Sequence, residues 1–205
     1  MGTIKLCRGD VFVGNPAAIA QGCNIKGAMG AGVALQFKNR FPDMYKEYKT
    51  LCERGMLPGG SIFPYDAILN DTRVRVYNLM TQSGFNGADI HFLSDATHAM
   101  CSDAVQNGIR EITLPFIGVG LGKIEPTVCL NIFLQAVMGY DICLNIVVQY
   151  AEGIEPYIIL NEMNDPYKPW QKAKETEDLR KQIGAPDIHS EILREASNRA
   201  SILPK

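Results

Sequence analysis

Three stretches of this 205-residue chain carry residue types suited to holding an anionic ligand. Gly9-Asp10-Val11 follows the first apolar run, Ile4–Arg8. An acidic residue where a strand ends is placed to accept a hydrogen bond from a ligand amine, because ligands of α/β sheets collect beyond the carboxyl ends of the strands. The same aspartate also suits a turn or a cap, so both readings stand at this point. The second stretch, Gly22-Cys23-Asn24-Ile25-Lys26-Gly27-Ala28-Met29-Gly30-Ala31-Gly32-Val33, runs from an apolar strand through small residues into an amphipathic pattern. Glycines let a backbone approach phosphate closely, and a helix N-terminus supplies free N–H groups at the positive end of its dipole. The segment lacks both the G-x-G-x-x-G dinucleotide spacing and the Gly-Lys-Ser/Thr of a P-loop. The third stretch, Leu114-Pro115-Phe116-Ile117-Gly118-Val119-Gly120-Leu121-Gly122, repeats the design, a strand emptying into a glycine-rich loop before a helix. Two such loops could grip one diphosphate from opposite sides.

Other chemistry-bearing groups are sparse. Asp89, His91, Asp95 and His98 cluster where a helix is expected to begin. A His beside an Asp can serve as a general base, although residues in such positions are ordinarily surface or packing groups. The six cysteines stand singly, with no C-x-x-C and no clustered histidine, which argues against a zinc site. Several fall in apolar runs and read as small buried residues in a reducing compartment.

Positioning these groups requires strands that alternate with helices. Apolar runs predict strands at Ile4–Arg8, Ala18–Asn24, Val74–Met80, Glu111–Phe116 and Cys143–Gln149, with weaker candidates at Ser61–Pro64 and Tyr157–Leu160. Their near-continuous apolar character suits strands covered on both faces. Val33, Phe37 and Phe41 predict a helix from Gly32 past Phe41. Ile90, Leu93, Thr97, Met100 and Ala104 form the stripe of a second helix, Ile90 to Gln106, ended by Asn107-Gly108. A third follows Glu125-Pro126, buries Cys129, Ile132, Phe133 and Ala136, and stops at Gly139. The expected architecture is a three-layer α/β/α domain with a mixed, largely parallel sheet over residues 1–164. Residues 165–205 turn polar, charged and proline-interrupted. They predict an extension, helical or partly disordered, that either decorates the surface or binds a protein partner.

Composition narrows the function. A formal net charge of −2 does not favour a basic nucleic-acid surface. No apolar stretch approaches the roughly 18 residues of a membrane span, and the N-terminus lacks a signal pattern, so a soluble, cytoplasmic protein is expected.

Together, Gly9-Asp10-Val11-Phe12, the run Gly27 to Lys38, and Leu114 to Leu121 resemble the macrodomain family. The flavour is similar to the branch holding the terminal ADP-ribose glycohydrolase, the DarG-type antitoxins and the yeast ADP-ribose-1″-phosphate phosphatase. The Met29-Gly30-x-Gly32-Val33-Ala34-x-x-Phe37-Lys38 pattern carries most of the likeness, which extends from about Ile4 to Gln149. The resemblance implies that Asp10 holds the adenine amine beside the Val11 backbone, and that Cys23 and Asn24 line the site, Asn24 near the distal ribose. It further implies that Gly27, Ala28, Met29, Gly30 and Gly32 wrap the diphosphate, while Gly118, Val119, Gly120 and Leu121 close over it and Phe116 contacts the ligand. ADP-ribose, or a substrate carrying it, is the implied partner, nucleic acid entering only as an ADP-ribosylated substrate. No cofactor or metal is expected.

The resemblance to the enzymes of that branch breaks at three positions. Their lysine after the strand equivalent to Val74–Met80 is replaced by Thr81-Gln82, and glutamine cannot form a Schiff base. Their acidic residue in the second glycine loop corresponds to Gly122, with Lys123 beside it. The phosphatase histidine corresponds to Gln21. Catalytic residues are therefore not assigned. Gln82 and Asn24 are expected to orient a water or a ribose hydroxyl. A hydrolase of an ADP-ribosyl linkage, a non-catalytic ADP-ribose reader, and a structural partner acting through residues 165–205 all remain open on the sequence.

Overall fold

The computed structural model describes residues 2–7 and 9–148. The expected strand Tyr157–Leu160, the end of the strand at Gln149 and the extension over 165–205 lie outside the described residues.

Among the described residues, short β-rich runs separated by helical ones produce six strands and four α-helices. In chain order these are β1 (Thr3–Cys7), β2 (Ala18–Asn24), α1 (Gly32–Arg40), α2 (Pro42–Glu53), β3 (Ile62–Leu69), β4 (Thr72–Gln82), α3 (Ile90–Gln106), β5 (Glu111–Pro115), α4 (Pro126–Met138) and β6 (Cys143–Val147). The sheet order is β1-β6-β5-β2-β4-β3. All pairings are parallel except β3 with β4. Those two form a hairpin because Asn70 and Asp71 both accept positive φ, 49° and 60°, as a tight primed turn requires.

Alternation along β2 shows how the layers arise. Ala18 and Ala20 pack toward α3 and α4, while Ile19 and Cys23 pack toward α1 and α2. The α3–α4 layer buries Leu93, Met100, Cys129 and Phe133 completely, and the opposite layer buries Phe37, Met44 and Tyr48. A sheet apolar on both faces needs helices on both, and the chain provides two on each side.

Helix ends follow local chemistry. The Asp89 carboxylate caps α3 by accepting from the N–H groups of His91 and Phe92 at 2.8 and 3.1 Å. At the other end Gly108 turns left-handed at φ 74°. The Ile109 N–H then reaches the Ala104 carbonyl at 2.8 Å, and the Gly108 N–H the Val105 carbonyl at 3.1 Å, a Schellman closure.

Two sequence expectations need correction. The helix that begins at Gly32 does not continue past Phe41. It ends at Arg40, and Pro42, which cannot donate the hydrogen bond that a continuing helix needs, opens α2 instead. Ile90 is not on the buried stripe of α3: it is 39% exposed at the helix start, while Leu93, Thr97, Met100 and Ala104 are buried as expected. The weak strand at Ser61–Pro64 extends to Leu69 once it pairs with β4.

The unexpected helix α2 braces the first glycine loop. Its buried Tyr48 donates a hydrogen bond to the Asn24 carbonyl, at the end of β2. Burial, with the Cys23 and Cys52 thiols nearby, pushes the Tyr48 phenol well above its usual range, so it stays a donor. Tyr48→Phe is expected to destabilise the fold by about 1–2 kcal/mol, because it leaves that carbonyl only the weak Cys52 thiol donor, 4.0 Å away. Denaturant unfolding would measure the loss, with an unchanged slope showing that the native and unfolded ensembles are otherwise alike. Asp89→Ala is expected to cost about 1 kcal/mol by the same measurement, as the loss of an N-cap.

Candidate functional site

The carboxyl ends of β1, β6, β5, β2 and β4 meet along one edge of the sheet. A cleft of about 850 Å³ lies there, lined by the end of β2, the loop into α1, Thr81 and Gln82 at the end of β4, the loop from Pro115 to Lys123, and Val147-Val148 after β6. A second hollow of about 110 Å³ holds Gly9, Asp10, Val11 and Phe12. The two share Val33, Gln36, Pro115 and Val147, so they form one continuous depression. From β1 to β4 it crosses four strand spacings, about 19 Å at the usual inter-strand distance.

Asn24 organises the first glycine loop. Its side-chain oxygen accepts from the N–H groups of Lys26 and Ala28 at 3.0 and 3.2 Å, and its amide donates to the Ala28 carbonyl at 2.8 Å. Asn24 therefore lines the cleft mainly as the clasp of the turn. The loop then enters α1 with no side-chain cap. Among the described residues, the N–H groups of Gly30, Gly32 and Val33 have no intramolecular acceptor.

The second loop faces it. The N–H groups of Gly118, Gly120 and Leu121 likewise have no acceptor among the described residues. The loop is anchored from behind by hydrogen bonds from Ile124 N–H to the Gly118 carbonyl and from Ala88 N–H to the Gly122 carbonyl, at 2.9 and 2.8 Å. Gly118 has no substitute, since φ is 93° and a Cβ would stand 2.7 Å from Cys129 Sγ and 3.0 Å from Leu93 Cδ2. Unpaired N–H groups on both sides, one set at a helix N-terminus, make an anion cradle. Lys123 is the charged side chain lining the cleft among the described residues.

Several of the expected residues line the two hollows. Cys23, Asn24, Ala28, Gly30, Gly32, Gln82, Phe116, Gly118, Val119, Gly120 and Leu121 line the main cleft. Asp10 and Val11 line the adjoining hollow. One oxygen of Asp10 accepts from the Phe12 N–H at 3.0 Å, a turn role, and its other oxygen makes no hydrogen bond among the described residues. The turn and ligand readings of Asp10 are thus compatible.

Gly27 and Met29 do not line the cleft. Gly27 packs against α2, where a Cβ would stand 3.3 Å from that of Cys52. Met29 is 1% exposed in the core below the loop, its sulfur 3.8 Å from the Gln21 amide. Gln21 itself points away from the cleft into a buried network, donating to Asn78 Oδ1 at 2.7 Å, while Asn78 donates to the Phe63 carbonyl at 3.0 Å. His91, Asp95 and His98 are exposed and are not among the cleft residues, and Asp89 is occupied as a helix cap. The supposed acid–base cluster on α3 does not form part of the site.

Other cleft residues were not legible beforehand. Phe85, 74% exposed, and Thr81 join from the β4 end, and Gln36 reaches both hollows from α1. Gln36 carries a faint signal, one turn beyond the glycines on the helix that they open. Cys23 is a poor nucleophile despite its place, because complete burial pushes its thiol far above the usual range and keeps it protonated.

A Macro domain family model matches residues 20–133. The chain is 31% identical over 120 residues to a DNA ADP-ribosyl glycohydrolase of Thermus aquaticus, which covers 58% of this chain and 33% of that protein. It thus spans about a third of the length of that relative. It is 32% identical over 134 residues to an ADP-ribose 1″-phosphate phosphatase of Lodderomyces elongisporus, covering 58% of this chain and 83% of that one. Among solved structures, the macrodomain of Mycobacterium tuberculosis DarG superposes with a TM-score of 0.66 at 25% identity, over 72% of this chain and 98% of that chain. With more than half of its residues matched by the family model and the layered sheet in place, this chain belongs to the Macro domain family.

Proposed function

We propose that the cleft binds ADP-ribose, free or attached to an acceptor. The observation that carries the reading is the pair of glycine loops, each with N–H groups unpaired among the described residues, that line one cleft continuous with the Asp10 hollow. A diphosphate fits between the loops, where donors and a helix dipole favour negative charge. The base end fits beside Asp10 and the Val11 backbone, and the distal sugar lies toward β2 and β4. The relatives' names point to the same ligand class, since both concern ADP-ribose derivatives.

Binding without a built-in acid–base pair is the favoured form of this function. Among the described residues lining the main cleft only Cys23 and Lys123 carry titratable side chains, and burial keeps the Cys23 thiol protonated. Such a module would read or sequester ADP-ribose. A second reading, hydrolysis of an ADP-ribosyl linkage, draws on the glycohydrolase and phosphatase relatives. In that case a water held by Gln82 would add its hydroxyl to the anomeric carbon, and its proton would leave with the acceptor through a ligand phosphate. Titration calorimetry with ADP-ribose, followed by chromatography of ADP-ribosylated DNA, peptide and ADP-ribose-1″-phosphate after incubation, separates the two. Micromolar binding without product supports the reader, product release supports the hydrolase, and no binding overturns both.

Two substitutions sharpen the assignment. Asp10→Asn keeps the turn acceptor but replaces an acceptor with a donor. It is expected to weaken ADP-ribose binding by roughly 1–2 kcal/mol, about five- to thirtyfold. A change below about threefold would remove Asp10 from the site. At Gly120 a Cβ would meet nothing within 4 Å, so Gly120→Glu projects a carboxylate into the open cleft near the diphosphate and is expected to abolish binding. Retained affinity there, with the thermal midpoint as a check on folding, would refute the two-loop cradle.

A further inference from the structure

Among the described residues, one fully buried side-chain polar group at the cleft has no partner. The Thr81 hydroxyl oxygen exposes less than 1 Å² and makes no hydrogen bond, while the residue as a whole is 1% exposed. Buried hydroxyls are ordinarily satisfied, and leaving one unmade costs stability, so an orphan wants an explanation. Its surroundings supply one. Thr81 lies at an irregularity of the sheet: Cys23 pairs with Met80 and Asn24 with Gln82, which leaves Thr81 without a counterpart on β2. Neighbours in a strand ordinarily face opposite sides, yet Thr81 and Gln82 both line the cleft. Irregularities of this kind cluster beside functional sites, where they redirect side chains. The Thr81 carbonyl is fixed by the Asp89 N–H at 2.8 Å, so the segment is pinned by the cap of α3.

The residue on β2 beside the hydroxyl is Gly22, whose own partner in the ladder is Leu79. A Cβ there would stand 3.0 Å from Thr81 Oγ1 and 2.8 Å from Ile117 Cγ2. Glycine therefore leaves clear the space between the hydroxyl and the Ile117 side chain, itself a cleft residue. The second buried orphan, Gln21 Oε1, differs in this respect, because Gln21 is sealed in the core below Met29 and does not line the cleft.

We infer that Thr81 is a specificity-determining residue of the cleft, its hydroxyl completing its hydrogen bonding with the sugar at the β4 end of the ligand, directly or through one water carried in with it. The placement rests on the proposed ADP-ribose reading: with the base end at β1, the β4 end receives the distal ribose. A site that hydrogen-bonds a ligand hydroxyl discriminates against ligands lacking it, and here that means ADP-ribose over ADP.

The test compares full-length wild type with Thr81→Val, near-isosteric but without the hydroxyl, using ADP-ribose and ADP as calorimetric probes. Thr81→Val is expected to weaken ADP-ribose about five- to tenfold, leave ADP unchanged, and leave the thermal midpoint equal or higher by about 1–4 °C, since an unmade buried hydroxyl is removed. Thr81→Ser is expected to keep wild-type affinity within about twofold, because it restores the hydroxyl. Unchanged ADP-ribose affinity in Thr81→Val overturns the inference, and so does an equal loss for both ligands, which marks general distortion of the cleft. Should the valine variant fail to fold, Thr81→Ala carries the same comparison. Wild type that binds neither probe overturns the ADP-ribose reading itself, whereas wild type that binds ADP-ribose alongside an unimpaired Thr81→Val overturns this inference alone.

Discussion

Five strands running the same way leave their carboxyl ends on one edge of the sheet, and every polar group of the cleft hangs from that edge. Parallel strands can be joined only by crossovers, and here those crossovers include four helices, two on each face. Each crossover starts at the same edge, so the loops that leave β2, β4 and β5 converge there without any residue being chosen for the purpose. What the sequence adds is the chemistry of those loops: glycine where the backbone must come close, and asparagine where a turn must be held.

The cleft is rigid where it needs donors. The first loop is clasped by Asn24 from within and by Tyr48 from α2, and the second is tied by Ala88 and Ile124 and backed by the Cys129 and Leu93 side chains. N–H groups held in place before a ligand arrives bind an anion without first having to be ordered, which is the sense in which such a cradle is preorganised. The thiols packed around these loops take no part in chemistry. Burial raises Cys101 and Cys129 to about 12, so both are protonated at neutral pH and behave as small apolar residues.

The same rigidity explains why the α3 histidines have no bearing on the site. His91 and His98 share an exposed stretch of helix, and the polar group nearest the helix start, Asp89, is consumed by the cap. Spacing along a helix says which residues share a face; it does not say which face meets the ligand. At the β4 end the cleft instead offers an amide, a hydroxyl and an exposed phenyl ring, groups that recognise a sugar or orient a water but do not exchange protons at neutral pH.

The sequence by itself determined the layered architecture, because apolar runs covered on both faces and glycine-rich exits after strands are local patterns. β2 spans Ala18–Asn24 and α3 spans Ile90–Gln106, as their periodicity and end signals require. Cleft residues carried by those exits, such as Ala28, Gly30, Gly118 and Gly120, were legible for the same reason. Tertiary structure alone decided the rest. The break at Phe41-Pro42 turned one expected helix into two and brought Tyr48 under the first loop. Packing turned Met29 inward and left Gly30 at the cleft, although they are neighbours in one motif. The register shift between β2 and β4 left Thr81 without a partner on β2 and set its unmatched hydroxyl beside Gly22, distant in the chain. Such outcomes depend on which elements become neighbours, and a one-dimensional pattern of hydrophobicity and turn residues does not encode the distance between two strands that meet only after a crossover.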